Sequence, residues 1–85
     1  MLTTDVGEAI KALVTQKIAL PAERILLCAT HTHSAPGVME MCLGTRKDEA
    51  YTAQMIPQVA EAIIKAHASM VPARAGWSQT DAHAF

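Results

Sequence analysis

Two histidines separated by one residue, His31 and His33, are the side chains of this sequence best suited to chemistry. A neutral imidazole binds zinc well, and it can also move a proton near neutral pH. The pair follows an apolar run at residues 25–29 and precedes Pro36-Gly37, a dipeptide that predicts a turn. In extended backbone, side chains two residues apart point to the same side. We therefore expect His31 and His33 to converge on one point, with Thr30, Thr32 and Ser34 as nearby hydroxyls.

The apolar run before the histidines predicts a strand over residues 24–30. Residues 25–29 are short, unbroken and apolar, as in a strand of a parallel sheet that is buried on both faces. Cys28 would be a small buried residue of this strand. Ligands of open α/β sheets bind beyond the C-terminal ends of the strands, which is where the two histidines stand.

A helix is predicted on each side of this strand. The first covers residues 4–17, with Thr4 as its N-cap and an apolar period of 3.6 residues. That period is carried by Val6, Ile10, Leu13, Val14 and Lys17. The second covers residues 48–69 and ends near His67, whose imidazole would complement the helix dipole. Its apolar face would contain Tyr51, Met55, Val59, Ala62, Ile63 and Ala66.

Proline and a second short apolar stretch complete the expected architecture. Pro57 predicts either a kink near residues 53–56 or a new helix that starts at Pro57. Residues 73–79 predict a second strand, parallel to the first through a right-handed crossover, in which Trp77 packs; His83 would be a tail residue. The predicted fold class is α/β, in the order helix, strand, helix, strand. Residues 1–85 would form a single partial domain of a larger layered α/β hydrolase domain, since two strands are a poor sheet by themselves.

Composition limits the partners of the chain. Its 85 residues are 51% hydrophobic and 18% charged, which is typical of a globular protein with apolar surfaces that something else covers. The formal net charge of −1, with no basic stripe, argues against nucleic acid. No apolar run reaches the ~20 residues of a membrane span, and no signal peptide is recognisable at the start.

The segment between the histidines and the second helix, residues 31–47, is long for such a connection, and long loops are often functional. Met39, Met41 and Leu43 would fill space under this loop or form a wall against an acyl chain.

Cys28 and Cys42 match no zinc or redox spacing. Ala35 should have a negative φ, because a Cβ at positive φ is strained.

The loop sequence resembles a known signature. The likeness is to the Ala-Thr-His-Thr-His-Ser-Gly-Pro-Gly motif of the neutral/alkaline, non-lysosomal ceramidases, and here it reads Ala29-Thr30-His31-Thr32-His33-Ser34-Ala35-Pro36-Gly37. It extends to the segments around Pro21, Ala66-His67 and Pro72-Ala73-Arg74, so it covers most of the chain. Ala35 and Val38 depart from the family, which usually has glycine at both positions.

The resemblance implies a zinc-dependent amidase. Zn²⁺ would be bound by His31, and the other ligands (a further His, a Glu and a Tyr) would come from far downstream in the family. His33 would act in catalysis, in the hydrolysis of an N-acyl sphingoid base such as ceramide. The implied partners are this lipid amide, the remainder of the catalytic domain and a membrane surface contacted peripherally; family members are secreted or membrane-associated.

Two other interpretations stay open. One is a different zinc hydrolase that uses His-x-His, although the metallo-β-lactamase-like enzymes add Asp and His where this chain has Ala35 and Pro36. The other is a non-catalytic α/β fragment or interaction module with incidental histidines. The lack of further ligands beside the pair favours this second interpretation, because a zinc site normally needs three protein ligands.

Overall fold

Two α-helices and a long irregular connection make up the protein. A computed structural model describes residues 2–40 and 44–81. The first helix, α1, is Thr4–Lys17; a single 3₁₀ turn follows at Ala22–Arg24; the second helix, α2, is Glu49–Ala68 and packs against α1. The described residues contain no β-strand, so the α/β prediction is wrong and this part of the chain is all-α.

Helix α1 has the predicted bounds, and one of its faces forms the core. Val6, Ile10 and Val14 are each at most 2% exposed, as expected for residues four apart on one side of a helix. Leu13 is half-buried, whereas Lys17 is exposed. The N-cap is Thr3 rather than Thr4; its side chain makes no capping hydrogen bond, and its buried hydroxyl has no hydrogen-bond partner among the described residues.

Helix α2 also lies close to its predicted bounds, but the side of the helix that is buried differs in part from the predicted apolar face. Thr52 and Ala60 are buried and Met55, Ile56, Val59, Ile63 and Ile64 are partly buried, while Ala62 and Ala66 are exposed. Pro57 lies on the exposed side inside a single continuous helix, so a new helix starting there is wrong. His67 lies in the last turn, as predicted.

The segment predicted as the first strand, residues 24–30, forms no strand: Arg24 ends the 3₁₀ turn, and residues 25–30 have no regular structure. Ile25 is 7% exposed and Leu27 is half-buried, whereas Leu26 is 87% exposed. Cys28 and Ala29 are exposed as well, so the prediction of a buried Cys28 is wrong. Burial alternates only over residues 25–27, and residues 28–30 are all exposed. A strand requires a hydrogen-bonded neighbour, and none of the described residues supplies one.

The described C-terminal segment, residues 70–81, is exposed throughout. Residues 70–81 have no regular structure, which overturns the predicted strand at residues 73–79. Trp77 is 97% exposed, so the prediction that it packs is also wrong. Met41, Cys42, Leu43 and His83 lie outside the described residues.

The molecule is open for its size. Its accessible surface is 7150 Å² for a mass of 9.1 kDa, whereas a compact monomer of this mass exposes about 4,900 Å². The radius of gyration is 16.4 Å, compared with about 12 Å for a compact domain of this length. Neither of the described helices is long and apolar enough to cross a membrane.

Candidate functional site

The structure brings the two histidines together. The ring centroids of His31 and His33 are 5.0 Å apart, with 33° between the ring planes, and both side chains are exposed. The predicted convergence is therefore confirmed, but the backbone achieves it differently. His31 has φ = 59°, a left-handed conformation rather than an extended one. The simple alternation of a strand therefore does not hold at His31.

The backbone conformation of His31 is unusual for a residue other than glycine. Among the described residues other than glycine, His31 is the one with positive φ. Such conformations are uncommon outside glycine, and they cost about 1–3 kcal/mol, a strain that is often found at functional sites. Ala35 does not share this conformation, as expected from its Cβ.

The histidines line an open, mainly apolar cavity of about 590 Å³. This volume is within the range of small-molecule sites. One wall is the irregular segment itself, residues 27–33 and 35–39. The helices form the other wall, to which α1 contributes the side chain of Ile10 and α2 contributes those of Tyr51, Met55 and Val59. The arrangement combines two polar imidazoles with an apolar lining.

Sequence reasoning missed the contribution of α2 to this cavity. Tyr51, Met55 and Val59 were expected on the apolar face of the helix, and their spacing of four residues was the available signal. Nothing in the sequence indicated that this row would face the histidine segment. Met39 also lines the cavity.

Backbone contacts close the loop that follows the histidines. The Asp48 N–H donates to the Gly37 carbonyl at 2.7 Å, and the Lys47 N–H donates to Glu40 Oε2 at 3.1 Å. A Cβ on residue 37 would lie 2.8 Å from the Arg46 carbonyl oxygen. The loop therefore requires glycine at position 37 because the two backbone segments approach closely.

The described residues fit a zinc site only in part. His31 and His33 offer two imidazoles at close range, which suits zinc. No group of three His, Cys, Asp or Glu side chains in the described ranges could hold a metal ion. The Thr32 hydroxyl accepts from the Ser34 N–H at 3.4 Å. A complete zinc site would need at least one further ligand.

A scan against protein-family models and searches of curated proteins and of solved structures find no match to this chain. The ceramidase resemblance thus rests on the likeness of the sequence alone, and it stays a prediction.

Proposed function

We propose that this chain carries part of the active site of a zinc-dependent amide hydrolase of the neutral ceramidase type. The reaction is hydrolysis of an N-acyl sphingoid base to a fatty acid and the free sphingoid base. One observation carries the proposal: the two histidines of the ceramidase-like motif are in ring contact and line an open, mainly apolar cavity. Such a site presents polar groups beside a surface suited to an acyl chain.

The two histidines have different roles in this proposal. His31 is the metal ligand, and its left-handed backbone fixes where its imidazole stands. Zinc, when bound, supplies Lewis-acid polarisation of the amide carbonyl and lowers the pKa of water. His33 lies 5.0 Å away, ring centre to ring centre, where it can orient water, hold the substrate or donate to the developing oxyanion. The remaining ligands lie outside the described residues.

The lining of the cavity supports a lipid amide as the substrate. Met39, Met55 and Val59 offer apolar side chains to an acyl chain, and Tyr51 adds an aromatic ring with a polar end. A substrate of this kind resides in membranes, so the proposal includes peripheral contact with a membrane surface by a secreted or membrane-associated protein.

Replacing each histidine separately tests the proposal. In a complete protein that contains this segment, His31→Ala should remove bound zinc and amide hydrolysis together, because it deletes a metal ligand. His33→Ala should lower turnover by roughly 100- to 10,000-fold, the range of a general acid–base group, while most of the zinc stays bound. Ser34→Ala is the matched control, since Ser34 is exposed and adjacent but lies outside the cavity lining. Zinc content and ceramide hydrolysis are measured for all three variants.

Equal loss of zinc in both histidine variants would show that both are ligands and that the division of roles is wrong. A zinc titration of the 85-residue chain provides a second measurement. With two imidazoles available, binding should be weak and should not saturate at one equivalent of zinc. Tight stoichiometric binding would contradict an incomplete site.

A non-catalytic interaction module is the second candidate function. The observation that favours it is the lack of a third metal ligand among the described residues, together with the exposure of Leu26 and Trp77. If His31→Ala and His33→Ala both leave zinc content and hydrolysis unchanged, this candidate replaces the first.

A further inference from the structure

Two methionines line the same cavity as the two histidines. His31 and His33 belong to the irregular segment, and Met39 follows them in the same wall. Met55 comes from α2 in the other wall. Both methionines are half-buried. The proposed hydrolase uses them only as apolar surface, so their sulfur atoms have no role in it.

The geometry of the two imidazoles leaves room for further ligands on a shared metal ion. Their ring centres are 5.0 Å apart. An ion placed equally far from both rings, about 2.0 Å from the nearest nitrogen of each, would see them at an angle of about 105°. This angle is close to that of tetrahedral and trigonal sites, which take further ligands besides the two nitrogens.

The cavity offers sulfur rather than carboxylate oxygen as the next donor. None of the described residues that line it is Asp, Glu, Lys or Arg. In the described ranges, no third His, Cys, Asp or Glu, Cys28 included, forms a metal-binding group with the histidines. A methionine side chain has three rotatable bonds, so its sulfur can adjust towards an ion that the histidines hold. Met39 and Met55 are therefore the candidates for the remaining ligands.

This set of donors suits copper(I) better than zinc. Zinc in proteins is bound by Cys, His, Asp and Glu, and thioethers are not among its ligands. Imidazole binds copper as well, and thioether sulfur selects copper(I). Charge favours the same ion. An ion without a compensating carboxylate is costly in an apolar lining, and this cost is smaller for a single charge than for a double one.

We propose that His31 and His33 bind one copper(I) ion and that the thioethers of Met39 and Met55 complete its coordination. The ion joins the two walls of the cavity, because its ligands come from the irregular segment and from α2. The site needs no ligand from outside the described residues, and it does not rest on the proposed hydrolase. Since both metals use His31, copper(I) bound here excludes zinc.

Competition with a chromophoric copper(I) chelator tests the site on the whole chain, without oxygen and with ascorbate to keep the copper reduced. All measurements are made with Cys28→Ser and Cys42→Ser in place, because free thiols also bind copper(I). One equivalent of copper(I) should bind. Replacing both methionines, Met39→Leu with Met55→Leu, should raise the dissociation constant by about tenfold or more. Leucine preserves the volume and the apolar character of the lining, so the cavity itself is retained.

Two residues outside the cavity lining provide matched controls. Met70→Leu makes the same change at a residue that is 67% exposed, and it should leave the dissociation constant within about twofold. His67→Ala removes an imidazole from the last turn of α2 and should have as little effect. His31→Ala and His33→Ala should each weaken copper(I) binding by about tenfold or more.

Zinc serves as a control for the metal. The double methionine variant should bind zinc as weakly as the chain that retains both methionines, because zinc does not use thioethers. Equal weakening of copper(I) and zinc binding by this variant would overturn the proposal, and so would unchanged copper(I) binding. X-ray absorption at the copper edge should show sulfur neighbours that the double variant lacks. A copper(I) ion without sulfur neighbours would likewise contradict the site. Neither measurement involves hydrolysis, so the copper site and the hydrolase can fail separately.

Discussion

Asp48 shows how much of the site depends on single polar contacts. Its carboxylate accepts from the Tyr51 N–H at 2.9 Å and caps α2. Its own N–H donates to the Gly37 carbonyl, and its C=O accepts from both the N–H and the hydroxyl of Thr52. One residue therefore joins the loop after the histidines to the helix that lines the cavity. The sequence placed the helix start at this residue, but it did not reveal the contact with Gly37.

Replacing Asp48 should weaken the helix start without altering the core. Asp48→Ala should lower the free energy of unfolding by about 1 kcal/mol, because an N-cap acceptor is lost. Asp48→Asn retains an acceptor and should cost only a few tenths of a kcal/mol. Urea unfolding of both variants measures the difference. Equal losses would show that the charge of the carboxylate, rather than its capping hydrogen bond, stabilises α2.

At the scale of elements, the helices follow from local sequence. In α1, apolar residues four apart define the buried face, and both helices end within one residue of their predicted bounds.

Glycine has opposite roles in the helix and in the loop. Gly7 lies inside α1, where a Cβ would make an ordinary contact with Leu27, whereas a Cβ at Gly37 would collide with the Arg46 carbonyl.

These two glycines give a matched pair of substitutions. Gly7→Ala should raise the free energy of unfolding by about 0.5–1 kcal/mol, since it favours the helix and fits the available space. Gly37→Ala should lower it by about 1–3 kcal/mol, because the loop must move away from the Arg46 carbonyl. Thermal and urea unfolding check both values. A stabilising Gly37→Ala would mean that the loop tolerates a different path, and the geometry described for the cavity edge would then be wrong.

At the scale of the whole molecule, the open shape limits stability. The chain retains 7150 Å² of accessible surface, while an unfolded chain of this mass exposes about 13,200 Å². Folding therefore buries about 46% of the surface, against about 60% or more for compact domains of similar size. The apolar surplus of the sequence predicted uncovered surfaces, and Leu26, Val71 and Trp77 are among them.

Heat capacity measures this openness directly. Calorimetry should give a heat-capacity change of unfolding of about 9–11 cal/mol/K per residue, below the usual 12–15, because less surface becomes exposed. The transition should also be broad and should occur at low temperature. A sharp transition at ordinary mesophile temperatures with the full heat-capacity change would show that the chain folds as a compact domain.

The sequence alone determined the elements that depend on neighbouring residues. The apolar period fixed α1, and the polar start at Asp48 fixed α2. Only the tertiary structure decided the state of residues 25–30, because a strand requires hydrogen bonds to a distant segment and no local pattern can show whether that segment is present. The left-handed conformation of His31 and the contribution of α2 to the cavity were decided in the same way. Both depend on how the loop is held against the helices, and that depends on contacts such as the one between Asp48 and Gly37, eleven residues apart in the chain.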